Sequence, residues 1–357
     1  MNKNVKNITL LGLLIMLIFT IFSLTKIRGM QHESSDETRI LQSGDSRDEA
    51  LVHDGKIWLR LANNQGPSHP ASRACDYFAE LVKERTNGRI EILNYHSGQL
   101  GDEKSVISQV MYGGIDLARV SIALLAEYES ELIVLQMPYL YESAEHMWKV
   151  LDSEIGDRYL KSLKGAGLEG LCWYDAGARN FYTTEKKIYS AQDLDGLKIR
   201  VLESSFLSDV LQSLGAEPIE IPYHKVEMAL KYNEIDGAEN NFSSFIGMGH
   251  HLYAKNIVLD EHVRIPEMII INEKVLGQLS EEDQKILYQA ARESSVWQRE
   301  LWKEQDEENI KTLERAGVTI TKVKDKQGFI DQVQPIYDTY GKGYEALFEQ
   351  IREMKEE

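Results

Sequence analysis

The chain has 357 residues, 43% of them apolar, and its 57 acidic against 40 basic side chains give a formal net charge of −17 at pH 7. That length exceeds what one hydrophobic core normally fills, so two domains are expected. The acidity excludes a nucleic-acid role, because phosphate binding needs clustered Lys and Arg that release counterions; an anionic small ligand would need locally focused positive charge.

Lys3 and Lys6 precede an uncharged run at residues 8–24. It is long for a signal-peptide core and at the short limit for a membrane-spanning helix. Ser23-Leu24-Thr25 is a weak cleavage site and no lipobox cysteine follows, so residues 1–30 fit a cleaved signal and an uncleaved anchor equally. Positive residues on the N-terminal side keep that end in the cytoplasm. The globular part is therefore expected to be extracytoplasmic, in the periplasm or on the outer face of the cytoplasmic membrane. Residues 31–55 are polar and acidic, as in Glu33-Ser34-Ser35-Asp36-Glu37, and read as a flexible linker.

Residues 57–62 alternate as a strand, and Ser68 and Pro70 open a helix with Ala74, Phe78, Leu81 and Val82 on one face, closed by Asn87-Gly88. A strand at 89–93, a loop at 97–103, a helix through Val106, Val110 and Met111 and a strand at 115–120 follow. This strand-helix alternation at crossover lengths predicts a parallel α/β domain. The pattern recurs: strands at 170–174 and 197–201, a helix at 206–214, a strand at 218–221, a helix at 226–232 and a strand at 235–239. Residues 267–271 supply one more apolar strand. Ser280 then opens, with a capping-box pattern to Asp283, a helix that runs through Trp297, Trp302 and Leu313 to Gly317. It is too long for one small domain and is expected to run across two. Cys75 and Cys172, the only cysteines, lie far apart in apolar contexts. Buried free thiols are the simpler reading, a single bridge the other.

The richest stretch is 177–241. Arg179 lies in Gly177-Ala178-Arg179-Asn180, Arg200 near the end of Leu197-Lys198-Ile199-Arg200-Val201, and Asn240 and Asn241 after Asp236-Gly237-Ala238-Glu239. Two rigid forked guanidiniums and an amide pair suit one small carboxylate and its neighbouring hydroxyls. Ordinary surface ion pairs are the bland reading of either arginine alone. No nucleophile elbow, phosphate loop, dinucleotide fingerprint or His-Glu-x-x-His is present, which removes the commonest choices; the arginine–amide set suggests capture of a ligand without catalysis, cofactor or metal. Glu103, Glu227 and Glu239 could supply paired carboxylates, although solvated roles are commoner. Adjacent His250 and His251 do not converge on a metal. His262 sits in a charged loop and is a candidate ligand contact.

Gly88-Arg89-Ile90-Glu91-Ile92, Ser97-Gly98-Gln99-Leu100-Gly101, Met137-Pro138-Tyr139-Leu140, Leu214-Gly215-Ala216 and the segments around Arg179, Arg200 and Asn240 occur in a telling order. Over residues 57–321 the chain resembles the solute-binding subunits of tripartite ATP-independent periplasmic (TRAP) transporters, the DctP family. The resemblance implies a two-domain periplasmic-binding-protein-like α/β fold with crossing hinge strands and a long helix spanning both domains. It implies domain I at 56–177 plus 266–305 and domain II at 178–265 plus 306–357, closing on an organic acid. It also implies small and large membrane subunits as partners. By position, Arg200 is the main carboxylate partner, Arg179 a second donor, and Asn240 a contact to the carboxylate or a hydroxyl. Asn63 and Glu103 line the opposite side, and Tyr223 either covers the ligand or packs in the core. Asn241 replaces a proline common in relatives, and Arg119 would be a third cation. With His262, these features resemble the uronate-binding branch, which makes glucuronate or galacturonate the expected ligand. A C4-dicarboxylate, an aldarate or a keto acid is the alternative, and a secreted uronate-active enzyme or a sensory binding module the more distant one.

Overall fold

The computed structural model describes residues 52–53, 55–323 and 325–355. The signal or anchor expected at 1–30 lies outside the described residues, as does most of the linker. The chain divides into two compact units, 1–55 and 56–357. In the first, strand β1 (Val52–His53) is described, inside the stretch expected to be linker.

The second unit holds two sheets. One comprises β2 (Lys56–Ala62), β3 (Ile90–Tyr95), β4 (Leu117–Ser121), β5 (Leu168–Tyr174) and β12 (Glu267–Asn272), ordered β3-β2-β4-β12-β5. β2 is parallel to β3 and β4, as the crossover pattern requires, whereas β12 is antiparallel to β4 and β5. Helix α1 (Pro70–Arg85) connects β2 to β3, and α2 (Glu103–Met111) connects β3 to β4. The N-cap of α1 is His69 rather than Ser68: its Nδ1 accepts from the Ala71 amide, and Pro70 at the first turn lacks an amide that would need a partner. The apolar face of α1, from Ala71 and Ala74 to Phe78 and Val82, is buried.

The other sheet comprises β6 (Ala178–Thr183), β7 (Lys198–Val201), β8 (Glu217–Glu220), β9 (Gly237–Asn240), β10 (Asn256–Leu259), β11 (Val263–Arg264) and β13 (Thr319–Lys322). Its order is β13-β10-β6-β9-β7-β8, with β11 also on β6. β7 is parallel to β8 and β9, joined through helices α3 (Ser205–Ser213) and α4 (Val226–Lys231); α5 (Phe242–Gly247) follows β9.

The chain crosses between the sheets at neighbouring places. β5 passes into β6 over residues 175–177, and β11 returns into β12 over 265–266, with β11 paired to β6. The outgoing link is firmly held. Gln298 brackets Asp175 through both backbone groups (2.8 Å each), and the Asp175 carboxylate takes the Gly177 amide and Trp148 Nε1 (2.7 Å each). Gly177 is in the left-handed region (φ 65°), and a Cβ there would meet Trp302 Nε1 at 2.8 Å, so glycine is required twice over.

Gln298 and Trp302 belong to α6 (Glu281–Arg315), the 35-residue helix that the capping signal at Ser280 opens. Its first half packs on α1 and β5, where Ser294 meets the Tyr174 hydroxyl (2.9 Å). Its second half reaches α5 through Asn309 and Ser243 (2.9 Å) and buries Leu313 in the second lobe's core. C-terminal helices touch both lobes: Ile351 O accepts from His146 (2.8 Å), and Tyr340 donates to Asp209 on α3. Cys75 and Cys172 are both buried free thiols, the former pushed up to about 12 chiefly by burial.

Candidate functional site

Arg200 lies on β7, an interior strand flanked by β8 and β9, between the buried apolar residues Ile199 and Val201. The residue is 2% exposed, yet among the described residues its one hydrogen bond is from Nε to Ile221 O (2.8 Å). Nη1 is buried without a partner, and among the described residues no carboxylate pairs with this guanidinium. Burial holds its pKa below the ordinary arginine value, with Glu239 opposing from a distance. A desolvated cation with free forked donors is costly to the protein alone and favourable to a carboxylate that completes it.

Arg179, on β6, is placed differently. Nε and Nη2 grip the Glu239 carboxylate, Nη2 also reaches Glu239 O (2.9 Å), and Nη1 reaches Asn240 Oδ1 (3.1 Å). Of five guanidinium hydrogens, one on Nη1 is left for a ligand. Behind Glu239 lies His262, 1% exposed, with Nε2 3.6 Å from Glu239 and Nδ1 2.7 Å from Asp260. The ring stacks on Phe181 (4.2 Å), whose amide donates to Asp260 (3.1 Å). Burial would lower the His262 pKa, but Asp260 and Glu239 outweigh it and hold the imidazolium up to about 9. Burial likewise works against the Glu239 carboxylate, which Arg179 and His262 nevertheless hold down to about 2. His262 therefore completes a neutral buried network of two cations and two anions. Both ring nitrogens face carboxylates, so the residue expected to touch the ligand is placed behind Glu239.

The first lobe supplies the opposing wall. Arg119, on β4 and 1% exposed, donates through Nε to Asn63 Oδ1 (3.0 Å), through Nη2 to Asn64, and pairs through Nη1 with Glu267 at the start of β12. Burial lowers the Arg119 pKa, but Glu267 and Glu103 reverse this. Glu103, the first residue of α2, takes the Ser121 amide and Asn64 Nδ2 (2.6 Å). Burial raises the Glu267 pKa in spite of Arg119, and its Oε2 has no partner. Arg119 is thus not a spare third cation: two carboxylates face it, and the wall around it consists of amides and carboxylate oxygens.

Three further residues resolve by their contacts. Asn240 turns Oδ1 to Arg179 and the Asn241 amide (2.9 Å), and among the described residues its NH2 has no hydrogen-bond partner. Asn241 is the N-cap of α5, its side chain taking the Ser244 amide (2.7 Å), so capping uses its acceptor. Tyr223 is not packed in either core; its hydroxyl donates to Gln65 Oε1 of the other lobe (3.1 Å) and feels both Arg119 and Arg200. The structure thus brings Arg200, Arg179, Asn240 and Tyr223 together opposite Asn63, Glu103 and Arg119. Asn64, Gln65 and Glu267 join them unforeseen, although the run Asn63-Asn64-Gln65 directly after a strand was a legible signal. Among the described residues no metal-ligating cluster occurs, and no helix is long and apolar enough to cross a membrane.

Comparison with known proteins places this geometry. Residues 61–343 match the model of the DctP family, bacterial extracellular solute-binding protein, family 7. A solute-binding protein of Chromohalobacter salexigens is 34% identical over 78% of this chain and 83% of its own length. The 2,3-diketo-L-gulonate-binding periplasmic protein of Escherichia coli is 29% identical over 76% of this chain and 83% of its own. Among solved structures, a TRAP periplasmic solute-binding protein of Bradyrhizobium sp. in complex with galacturonate superposes with a TM-score of 0.81 at 35% identity, over 83% of this chain and 99% of that one. One from Pseudomonas putida with bound D-glucuronate gives 0.82 at 29% identity, over 84% and 98%. By the extent of the family match and the identity to these relatives, the chain belongs to the DctP family of bacterial extracellular solute-binding proteins.

Proposed function

We propose that this chain is the receptor subunit of a TRAP transporter and captures a hexuronate, glucuronate or galacturonate, between its lobes for delivery to membrane subunits. The carrying observation is Arg200, buried and, among the described residues, without a carboxylate partner. One such cation calls for one carboxylate. Arg179 and Arg119 are matched by Glu239 and Glu267, so neither of these two guanidiniums stands unpaired for the second carboxylate of a dicarboxylate. The amide NH2 of Asn240, the remaining Arg179 hydrogen and the oxygens of Glu103 and Glu267 suit hydroxyl groups, which both donate and accept. The related proteins with bound uronates support the same choice.

In this reading residues 56–177 with 266–305 and 178–265 with 306–357 are the closing bodies, and the links at 175–177 and 265–266 are the hinge. Ligand contacts to both bodies favour the closed form. The protein performs no covalent step, and the N-terminal segment carries it across the membrane or tethers it to the outer face. A thermal-shift panel tests the ligand. D-glucuronate or D-galacturonate at ~100 times Kd should raise Tm by about 5 °C, by mass action on the folded state. Succinate, malate, galactarate and 2,3-diketo-L-gulonate should give smaller shifts. A larger shift with a dicarboxylate would refute the uronate assignment, and recovery of altered uronate after incubation would refute a purely binding role.

A further inference from the structure

The geometry points to a latch across the mouth of the site, formed by Tyr223 of one lobe and Gln65 of the other, that stabilises the closed form without being a ligand contact. The inference rests on the binding role proposed above.

Both halves are anchored to the site's own guanidiniums. On one side Arg200 Nε holds Ile221 O (2.8 Å), Pro222 stiffens the next step (φ −53°), and Tyr223 follows immediately. On the other, the Gln65 amide donates to Asn63 Oδ1 (3.1 Å), which also accepts from Arg119 Nε (3.0 Å). Gln65 O takes the Ser97 amide (2.8 Å) and the Ser72 hydroxyl (3.2 Å), so the turn is fixed and the side chain, in a residue 7% exposed, has little freedom. Tyr223 Oη to Gln65 Oε1 (3.1 Å) closes the gap. A continuous path therefore runs from Arg200 through residues 221–223, across to Gln65 and Asn63, and ends at Arg119. Burial raises the phenol's pKa, so it remains a hydrogen-bond donor at all working pH values. The ring meets His250 edge-on at 6.4 Å, and the hydroxyl also contacts Ser244 of its own lobe.

A bond between the lobes can form only when they are closed, so it shifts the open–closed equilibrium by its own free energy and adds that factor to the apparent affinity. A neutral hydrogen bond corresponds to about threefold to tenfold. The test is a double-mutant cycle of Tyr223→Phe and Gln65→Met, titrated calorimetrically with D-glucuronate and followed by stopped flow. Each single variant should weaken binding about threefold to tenfold, mainly through faster release. The double variant should be no weaker than Tyr223→Phe alone, because that change already removes the bond to Gln65, together with the hydroxyl's contact to Ser244 in its own lobe. Additive losses overturn the latch. So does a silent Gln65→Met beside an impaired Tyr223→Phe, which would assign the hydroxyl's role to the ligand or to its other partner, Ser244, instead of the latch. Failure of the wild type to bind either uronate would refute the ligand assignment alone, and the same cycle is then judged with the acid that the thermal panel selects.

Discussion

Replacing Arg200 by methionine keeps an unbranched side chain and removes the charge, and the structure predicts opposite effects on binding and on the unliganded fold. In the proposed complex a ligand carboxylate would lose a charge-assisted, two-pronged partner at a residue that is 2% exposed. Truncating one side of such a buried charge pair costs about 2–5 kcal/mol, or roughly 30-fold to several thousand-fold in Kd. The unliganded protein loses only the Nε bond to Ile221 O, worth about 1 kcal/mol, and is relieved of a desolvated guanidinium whose pKa burial already depresses. The two terms oppose, so Tm without ligand should stay within about 3 °C of wild type or rise. Arg200→Lys keeps a charge but not the fork, and should recover part of the affinity. Calorimetric titration with D-glucuronate and scanning fluorimetry of the same samples read both quantities. A large fall in Tm with affinity intact would show Arg200 to be a structural arginine and refute the reasoning.

The charged network behind Arg179 should be visible in pH dependence. His262 has a folded pKa raised from 6.5 to about 9, so its stabilisation is complete below about pH 6.5 and is lost as pH rises to 9; Tm should fall over that interval, and His262→Gln should flatten the profile. Glu239, held down to about 2, loses its contribution only as pH falls from 4.5 through that value. Asp306 on α6 accepts from Trp302 Nε1 (3.1 Å), leaves Oδ1 unpaired, and is raised to about 7 by burial and by Asp175. Its raised pKa favours the acid form, so stability declines from about pH 4 to 7. Asp306→Asn should match wild type near pH 4 and exceed it in Tm at pH 8. Gly177→Ala forces a side chain into the left-handed region, about 1–2 kcal/mol, and against the Trp302 indole, and should lower Tm by several degrees in a thermal melt.

Local order in the sequence was enough for the α/β layout, because crossover helices and strands declare themselves by periodicity and capping within a few residues. The 35-residue helix announced its start at Ser280 and its length by its apolar spacing. The collinear motifs carried the family, and Arg200 and Asn240 stood out with them. The capping role of Asn241 was legible in principle, since a helix beginning at Phe242 needs a cap. What no local pattern could decide was the charge pairing of each arginine. Arg119, Arg179 and Arg200 all lie on buried strands, and only tertiary packing sets Glu267 against the first and Glu239 against the second, leaving the third without an anion. The same packing turned His262 inward and sent Tyr223 to the opposite lobe. Periodicity follows from bonds between near neighbours, whereas the pairing of a buried charge depends on which distant strand lies beside it.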